Sequence, residues 1–367
     1  MTPHPKAMTL CKALLWLIFL VVPAGAQEKD WEKEWNSLVA GAKKEGKVVV
    51  AGFPNPDLRR DIPARFTQRF GIPVEYIGAN SNDTVARLRA ERQGGLYTTD
   101  VFLSGIQVLT NTVYPQKMLE PIRPVLIHPE VTDPSKWKGG RLWFVDPEQK
   151  YILRFVNYVV ELLHVNTDHV KPGEFKSIKE LLNPKWKGKI SAFDPTVPGT
   201  GSNTAAKFYF QLGEEFVRKL YIDQQPVIGR DRRQMTDWLA RGTYPIALNP
   251  ADVEGLQKDG FPIKGIYSLP DMPGVVSGGF GLVVFLNNAP HPQAARLFIN
   301  WMASREGVET YSRAVAHTTL RADVDESFLP SDKIPRPGVK YFDSYDWQFN
   351  LTGEEKIRLW MKELLQR

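Results

Sequence analysis

The stretch KVVVAGFPNPDLRRDIPARFTQRFGIPVEYIG, residues 47–78, decides the fold because it alternates strand and helix. Lys47–Gly52 is a short apolar run typical of a buried strand. Leu58–Phe70 follows with helical spacing behind Asp57 as its predicted N-cap, and Val74–Ile77 is a second strand. Strands separated by helices predict a mainly parallel sheet covered by helices.

The alternation continues along the chain without a flexible linker or an internal repeat. About 340 residues beyond the N-terminal leader exceed what one hydrophobic core usually supports. The sequence therefore predicts an α/β protein of two lobes joined by strands. Helices are expected at Glu32–Glu45, Ser81–Gln93, Thr204–Leu212, Arg232–Arg241 and Pro292–Ser304, and strands at Asp100–Ser104, Lys187–Phe193, Thr243–Leu248 and Val275–Phe285.

The N-terminus has the order of a cleavable secretory signal, which we place at residues 1–26. Two lysines precede the apolar run Ala13–Val22, and Ala24–Ala26 supplies small residues for cleavage. The run is shorter than the ~20 apolar residues that span a bilayer. Cleavage would remove Cys11, leaving no disulfide or thiolate. We therefore expect export to the periplasm.

Charge and motifs argue against nucleic-acid binding and against catalysis. The formal net charge is +6, but basic residues are scattered except at Arg230–Arg233, so no phosphate-tracking patch is expected. Gly199–Ser202 is neither a P-loop nor a nucleophile elbow. The six histidines are also scattered. We predict no catalytic residues; a periplasmic enzyme would need a polar triad, which the sequence does not reveal.

Four polar strand-to-helix junctions are the candidate ligand site. In α/β sheets ligands bind beyond the carboxyl ends of strands, where helix N-termini favour anions. The plain alternative is that these residues are turns and helix caps. Arg230 or Arg232 would pair with a carboxylate or phosphate, unless both are solvated surface residues. The junctions contribute Phe53, Asn55, Asn80, Ser81, Ser104, Asp194, Thr200, Gly201 and Ser202.

Several segments, in their order behind a signal peptide, resemble one known family. They are Glu45–Val50, Asp100–Gly105, Trp186–Ser191 leading to Asp194, Pro198–Ser202, Ala289–Trp301 and Leu320–Val324. With them the chain resembles the extracellular solute-binding proteins of ABC importers, in the branch of ferric-iron-binding proteins and small-organic-anion receptors.

The resemblance implies a type II periplasmic binding fold, two lobes that close on a ligand like a flytrap. By analogy, residues 27–158 and 282–312 form the first lobe, and residues 159–281 and 313–367 the second, with the placement of the C-terminal segment left open. It also implies an inner-membrane ABC permease as partner. We expect a monomer; a receptor that signals instead of transporting has the same sequence signature.

One departure from the family concerns iron. The iron-binding members carry adjacent tyrosines after an apolar strand and an Asn, whereas Tyr244–Asp252 has Pro250 and Ala251 near that place. We therefore expect an organic anion, contacted also by Asn249 and Asp252, with no cofactor and no metal. A ferric-iron carrier is the alternative, with phenolates supplied from elsewhere: Tyr151, Tyr158 or Tyr311.

Overall fold

Three sheets organise the part of the chain that the computed structural model describes, which is residue 1, residues 24–251 and residues 253–366. Residues 2–23 of the expected signal peptide, and Asp252, lie outside that part. The strands are β1 Val48–Gly52, β2 Val74–Gly78, β3 Val101–Ser104, β4 Leu119–Glu120, β5 Trp143–Phe144, β6 Ile152–Arg154, β7 Tyr158–Val160, β8 Leu163–Asn166, β9 Ile190–Phe193, β10 Val227–Gly229, β11 Ile246–Leu248, β12 Ile263–Ile266, β13 Val275–Ser277, β14 Leu282–Leu286 and β15 Phe342–Asp343.

Helices cover these sheets. Among the residues described, none is both long enough and apolar enough to cross a membrane. The helices are α1 Ala24–Glu45, α2 Pro56–Phe70, α3 Ser81–Gln93, α4 Ile106–Val108, α5 Pro129–Thr132, α6 Thr200–Leu212, α7 Glu214–Arg218, α8 Arg232–Ala240, α9 Val253–Lys258, α10 Pro292–Ala303, α11 Arg305–Val315 and α12 Glu354–Leu365.

The first lobe is built on a sheet of order β2-β1-β3-β14-β6-β5, with β4 paired to β14. β1 runs parallel to β2 and β3, as the alternation in residues 47–104 predicts, and β14 returns antiparallel. Val48 and Val50 pack with α2 and α10, whereas Ala51 packs toward α3 on the opposite face. Side chains of a strand alternate between faces, so a continuous apolar run fits a strand covered on both sides.

The second lobe has a sheet of order β10-β9-β11-β8-β12 and a core of its own. β9 is parallel to both β10 and β11, and β8 is antiparallel to β11. The C-terminal helix α12 packs on α6 and buries Met361 in this core. The end of the chain therefore belongs to the second lobe.

The third sheet, β15-β13-β7, lies where the chain crosses between the lobes. The chain enters the second lobe after β7, returns through β13 and crosses again at β15. The sequence left the placement of residues 313–367 open; in the structure Leu320 and Val324 pack in the first core, whereas Met361 packs in the second. After α11, a helix not predicted, backbone bridges from Thr319 to Val156 and from Arg321 to Trp137 hold this segment on the first lobe. Val275–Phe285 is likewise two strands rather than one.

A buried arginine ties the crossings together. Arg154 is 1% exposed, and its Nη1 donates to both carboxylate oxygens of Asp343 at 2.8 Å. Its Nε donates to Val156 O at 2.9 Å, and its guanidinium lies 4.7 Å from the centre of the Tyr345 ring. A buried charge is tolerated when it is paired and hydrogen-bonded. Arg154 thus couples the first crossing to the third.

Candidate functional site

A cleft of about 750 Å³ lies between the two lobes. The first lobe contributes the start of α3 and the loop into α4, and the second contributes α6, the start of α8 and the loop after β11. The third sheet forms the floor. Of the predicted site residues, those that line the cleft are Asn80, Ser81, Thr200, Arg232 and Asn249.

The second-lobe wall is organised by α6, which begins at Thr200, four residues before its predicted start. Gly199, with φ of +125°, turns the chain into the helix. Ser202 Oγ accepts from Gly199 N at 3.1 Å and donates to Glu354, which anchors this turn to α12. A Cβ on Gly201 would lie 2.2 Å from Asp194 O, so the helix start packs directly on the end of β9. Gly201 and Ser202, both predicted ligand contacts, are buried behind the wall and build it.

Lys207 is the cation that this helix presents to the cleft. Thr200, Asn203 and Lys207 are spaced by three and four residues, so they share one helix face, and all three line the cleft. Within the described residues, no hydrogen bond or ion pair engages Lys207 Nζ. Burial lowers the pKa of Lys207 to about 8. A desolvated amine without a protein anion beside it favours an anionic ligand.

Arg232 and Asn249 form a second group on the same wall. Arg232 Nε donates to Asn249 O at 3.0 Å, and its Nη2 donates to Pro250 O at 2.7 Å. Asn249 has φ of +65°, which turns the loop after β11 so that its carbonyls reach the guanidinium. The arginine is therefore fixed at the cleft rather than free to follow solvent.

On the first-lobe wall, Asn80 and Ser81 begin α3. Asn80 is the N-cap, but its side chain makes no capping hydrogen bond to the helix. Ser104 Oγ lies 3.2 Å from both Ser81 Oγ and Gly105 O. Ser104 is fully buried at the end of β3, so it supports Ser81 and does not line the cleft itself.

The remaining described site residues do not line the cleft, and each has a structural partner. Asn55 is the N-cap of α2, the role predicted for Asp57, and its Oδ1 accepts from Leu58 N at 2.9 Å. Phe53 stacks on Phe280, with ring centres 4.3 Å apart. Phe280 lines the cleft, and Phe53 packs against the Phe280 ring without lining the cleft itself.

The expected anion partner Arg230 is instead paired within the second lobe. Its Nε donates to Asp194 Oδ2 at 2.8 Å, and its side chain is 74% exposed. Burial acts to raise the pKa of Asp194, but hydrogen bonds from Thr196 and Arg230 hold it below its ordinary value. The ion pair thus ties the loop between β9 and α6, which contains Asp194, to Arg230 at the end of β10. The sequence offered Arg230 or Arg232 as the anion partner, and of the two Arg232 lines the cleft while Arg230 is held by Asp194.

Two acidic side chains of the second lobe, Glu161 and Glu254, also line the cleft, and both have partners. Tyr267 Oη donates to Glu161 Oε1 at 2.7 Å, and Lys333 Nζ lies 3.7 Å from Glu254 Oε1. Burial lowers the pKa of His164, so its ring is neutral at pH 7. The second-lobe wall therefore presents the cations Lys207 and Arg232, while Glu161 and Glu254 are engaged by other side chains.

The three tyrosines proposed as alternative iron ligands lie in different parts of the structure. Tyr311 is buried in the first core against Phe155, and Tyr151 packs on Tyr114. Tyr158 lines the cleft, and burial raises its pKa to about 12. Among the described residues, no group of three or more His, Cys, Asp or Glu side chains has a geometry that could hold a metal ion.

Sequence reasoning missed Asn203, Lys207 and Phe280. The first two carried a usable signal, because their spacing from Thr200 places them on one face of a helix. With α6 predicted to start at Thr204, Thr200 and Asn203 fall in a loop, and their shared helix face is not apparent. Phe280 lies in a turn marked by Gly278 and Gly279, but the apolar run Val275–Phe285 predicts a continuous strand there.

Comparison with known proteins agrees with this architecture. Residues 61–336 match the model of a protein family described as bacterial extracellular solute-binding protein. An uncharacterized protein of Haemophilus influenzae is 25% identical over 282 residues, covering 73% of this chain and 76% of that protein.

Two solved structures share the fold. The periplasmic binding protein AfuA of Actinobacillus pleuropneumoniae, with exogenous fructose-6-phosphate bound, has a TM-score of 0.61 and 20% identity, over 88% of this chain and 99% of that one. The Trichodesmium protein FutA (IdiA), in complex with iron and citrate, has a TM-score of 0.64 and 18% identity, over 87% and 99%. The predicted two-lobed α/β periplasmic binding fold is confirmed.

Proposed function

This chain belongs to the bacterial extracellular solute-binding proteins, and we propose that its solute is a small organic anion held between the two lobes. The family resemblance read from the sequence is confirmed, and the chain is the solute-binding component of an ABC importer rather than an enzyme. The anion proposal is carried by one observation: Lys207 has no anionic partner among the described residues and lies on the cleft face of α6.

The second-lobe wall supports an anion in three ways. The first N–H groups of a helix have no partner within it, so the start of α6 offers donors at Thr200. Lys207, on the same face of α6 as Thr200, adds a positive charge. Arg232 is held rigidly at the same wall by two carbonyls. Donors and charge fixed in advance bind an anion without a further ordering cost.

The volume of the cleft supports an organic solute over a bare ion. About 750 Å³ falls within the ~300–1,000 Å³ typical of small-molecule pockets. A solute of that size would contact both walls at once. Closure of the lobes about the third sheet would then be favoured by contacts that form only in the closed state. We propose that the closed protein acts in the periplasm as a monomer and delivers its solute to a membrane permease.

Two structural relatives define the arms of the test. One holds fructose-6-phosphate and the other holds iron with citrate. The purified protein, freed of bound solute, is titrated calorimetrically with fructose-6-phosphate, citrate, ferric citrate and unphosphorylated fructose. We expect an organic anion to bind and fructose, its neutral match, to give no heat. Thermal unfolding checks the result, since a ligand at a hundredfold excess over its Kd stabilises by about 2.7 kcal/mol.

A ferric-iron carrier gives a different pattern. It would bind ferric citrate but not citrate, and the complex would absorb visible light through phenolates such as that of Tyr158. Equal binding of fructose and its phosphate would overturn the anion proposal, since the charge would then contribute nothing.

A further inference from the structure

The turn that joins β13 to β14, Gly278–Gly281, carries a single side chain. A Cβ on Gly278 would lie 2.7 Å from the Tyr345 ring, and one on Gly281 would lie 2.4 Å from Val156 Cβ. Gly279 has φ of +55°, a conformation that side chains rarely adopt. Packing at Gly278 and Gly281, and the backbone conformation at Gly279, therefore disfavour a side chain at these positions, and Phe280 is the exception.

Phe280 is held in place from behind and faces the cleft. Its ring stacks on Phe53, with centres 4.3 Å apart and planes inclined by 11°. A Cβ on Gly105 would lie 3.7 Å from the same ring, so the loop after β3 closes on its edge. Phe280 remains partly exposed and lines the cleft. An aromatic side chain fixed on one face with the other open provides a flat binding surface.

Neutral aromatic rings flank the turn that carries Phe280. Tyr158 stacks on His317 next to the turn, with ring centres 3.6 Å apart, and also lines the cleft. Burial lowers the pKa of His317 to about 3, so this ring is neutral at physiological pH. The cleft cations Lys207 and Arg232 both belong to the second lobe. The cleft thus has an anion-binding wall and a separate aromatic surface.

We propose that Phe280, backed by Phe53, binds a ring of the solute and selects ring-bearing organic anions over short-chain ones. The inference rests on the proposed function, because it assumes that the second lobe holds the anionic group. A flat ring or the C–H face of a sugar buries apolar area against Phe280 and gains from stacking. A methyl group on the same anion is too small to cover the surface.

The test compares phenyl phosphate with methyl phosphate, which share the anionic group and differ in the ring. Calorimetry gives both Kd values for the wild type, Phe280→Ala, Phe280→Leu and a control, Phe261→Ala, which removes an exposed ring of the second lobe. We expect the wild type and the control to bind phenyl phosphate about tenfold more tightly. Phe280→Ala should lose this preference while its Kd for methyl phosphate stays unchanged.

The outcomes distinguish failure of the ring-binding proposal from failure of the anion proposal. Equal affinity of the wild type for the two phosphates overturns the ring surface and leaves the anion site standing. A Phe280→Ala variant that weakens both phosphates equally also overturns it, since the residue would then only support the fold. Binding of neither phosphate overturns the anion site. If Phe280→Ala does not fold, Phe280→Leu keeps apolar volume without a ring and must show a reduced preference.

Discussion

The two walls of the cleft each present the start of a helix, yet they differ in charge. On the first lobe, α3 carries Asp83 in its first turn, and Asp83 itself lines the cleft. On the second lobe, the first turn of α6 has no acidic residue, and Lys207 follows on the same face. A carboxylate near a helix N-terminus offsets the partial positive charge there, whereas a lysine adds to the attraction for an anion.

This difference divides the work of binding between the lobes. If the solute is the proposed anion, the second lobe would fix its charged group, and the first would cover it with Asn80, Ser81 and Phe280, which all line the cleft. Neutral contacts cost less to break than a desolvated ion pair. On that proposal, the first lobe would open again without separating two buried charges.

Removing the cleft cation tests this division most strongly. Lys207→Met should weaken binding of phenyl phosphate about 30-fold, or about 2 kcal/mol, because charge-assisted hydrogen bonds contribute that much. The free protein should keep or raise its melting temperature, since below its folded pKa the buried ammonium disfavours the folded state. Calorimetry and thermal unfolding of the same preparation measure both effects.

Lys187→Met is the matched control, because Lys187 is an exposed lysine of the same lobe. It changes the net charge equally and should leave the Kd unaltered. If the two variants weaken binding alike, the effect comes from the overall field of the protein and not from the wall of α6.

The affinity should also depend on pH. Lys207 has a pKa of about 8 in the free protein, and an anion binds its protonated form. Affinity should therefore fall as the pH rises through 8, by about tenfold between pH 7 and pH 9 or about 1.4 kcal/mol. With a second pKa of about 6, the phosphate is already about nine-tenths dianion at pH 7, so its own titration changes the affinity little over this range.

Lys207→Arg supplies the control for the pH dependence, since a guanidinium stays protonated throughout. Its Kd for phenyl phosphate should be flat between pH 7 and pH 9. A wild-type Kd that is equally flat would show that the charge on Lys207 does not contribute to binding.

The fold was readable from the sequence because it depends on local periodicity. The valines of β1 and the helical spacing of Leu58–Phe70 predict a buried strand and a covering helix, and the structure has both. The crossings were harder, because they depend on tertiary contacts. Nothing local marks Arg154 as the partner of Asp343. The β13–β14 turn does carry a local signal in its glycines, but it is flanked on both sides by apolar residues typical of one strand.

The candidate site was only partly readable for a related reason. Helix starts such as Ser81 and Thr200 follow from strand-to-helix punctuation, and both line the cleft. Choosing between Arg230 and Arg232 needed the direction of each side chain at the start of α8. Asp194 takes Arg230 away from the cleft, a pairing of residues far apart in sequence that no local pattern reveals.

The smallest expected effect belongs to the first-lobe wall. Ser81→Ala removes one neutral hydroxyl, which should weaken binding of phenyl phosphate no more than about fivefold, or about 1 kcal/mol. Ser104, buried 3.2 Å behind it, keeps its second contact with Gly105 O, so the wall should hold its shape. Thermal unfolding should confirm that the variant is folded before its Kd is compared with that of Lys207→Met. If Ser81→Ala costs as much as Lys207→Met, the anion lies at the start of α3 despite Asp83, and the two walls exchange roles.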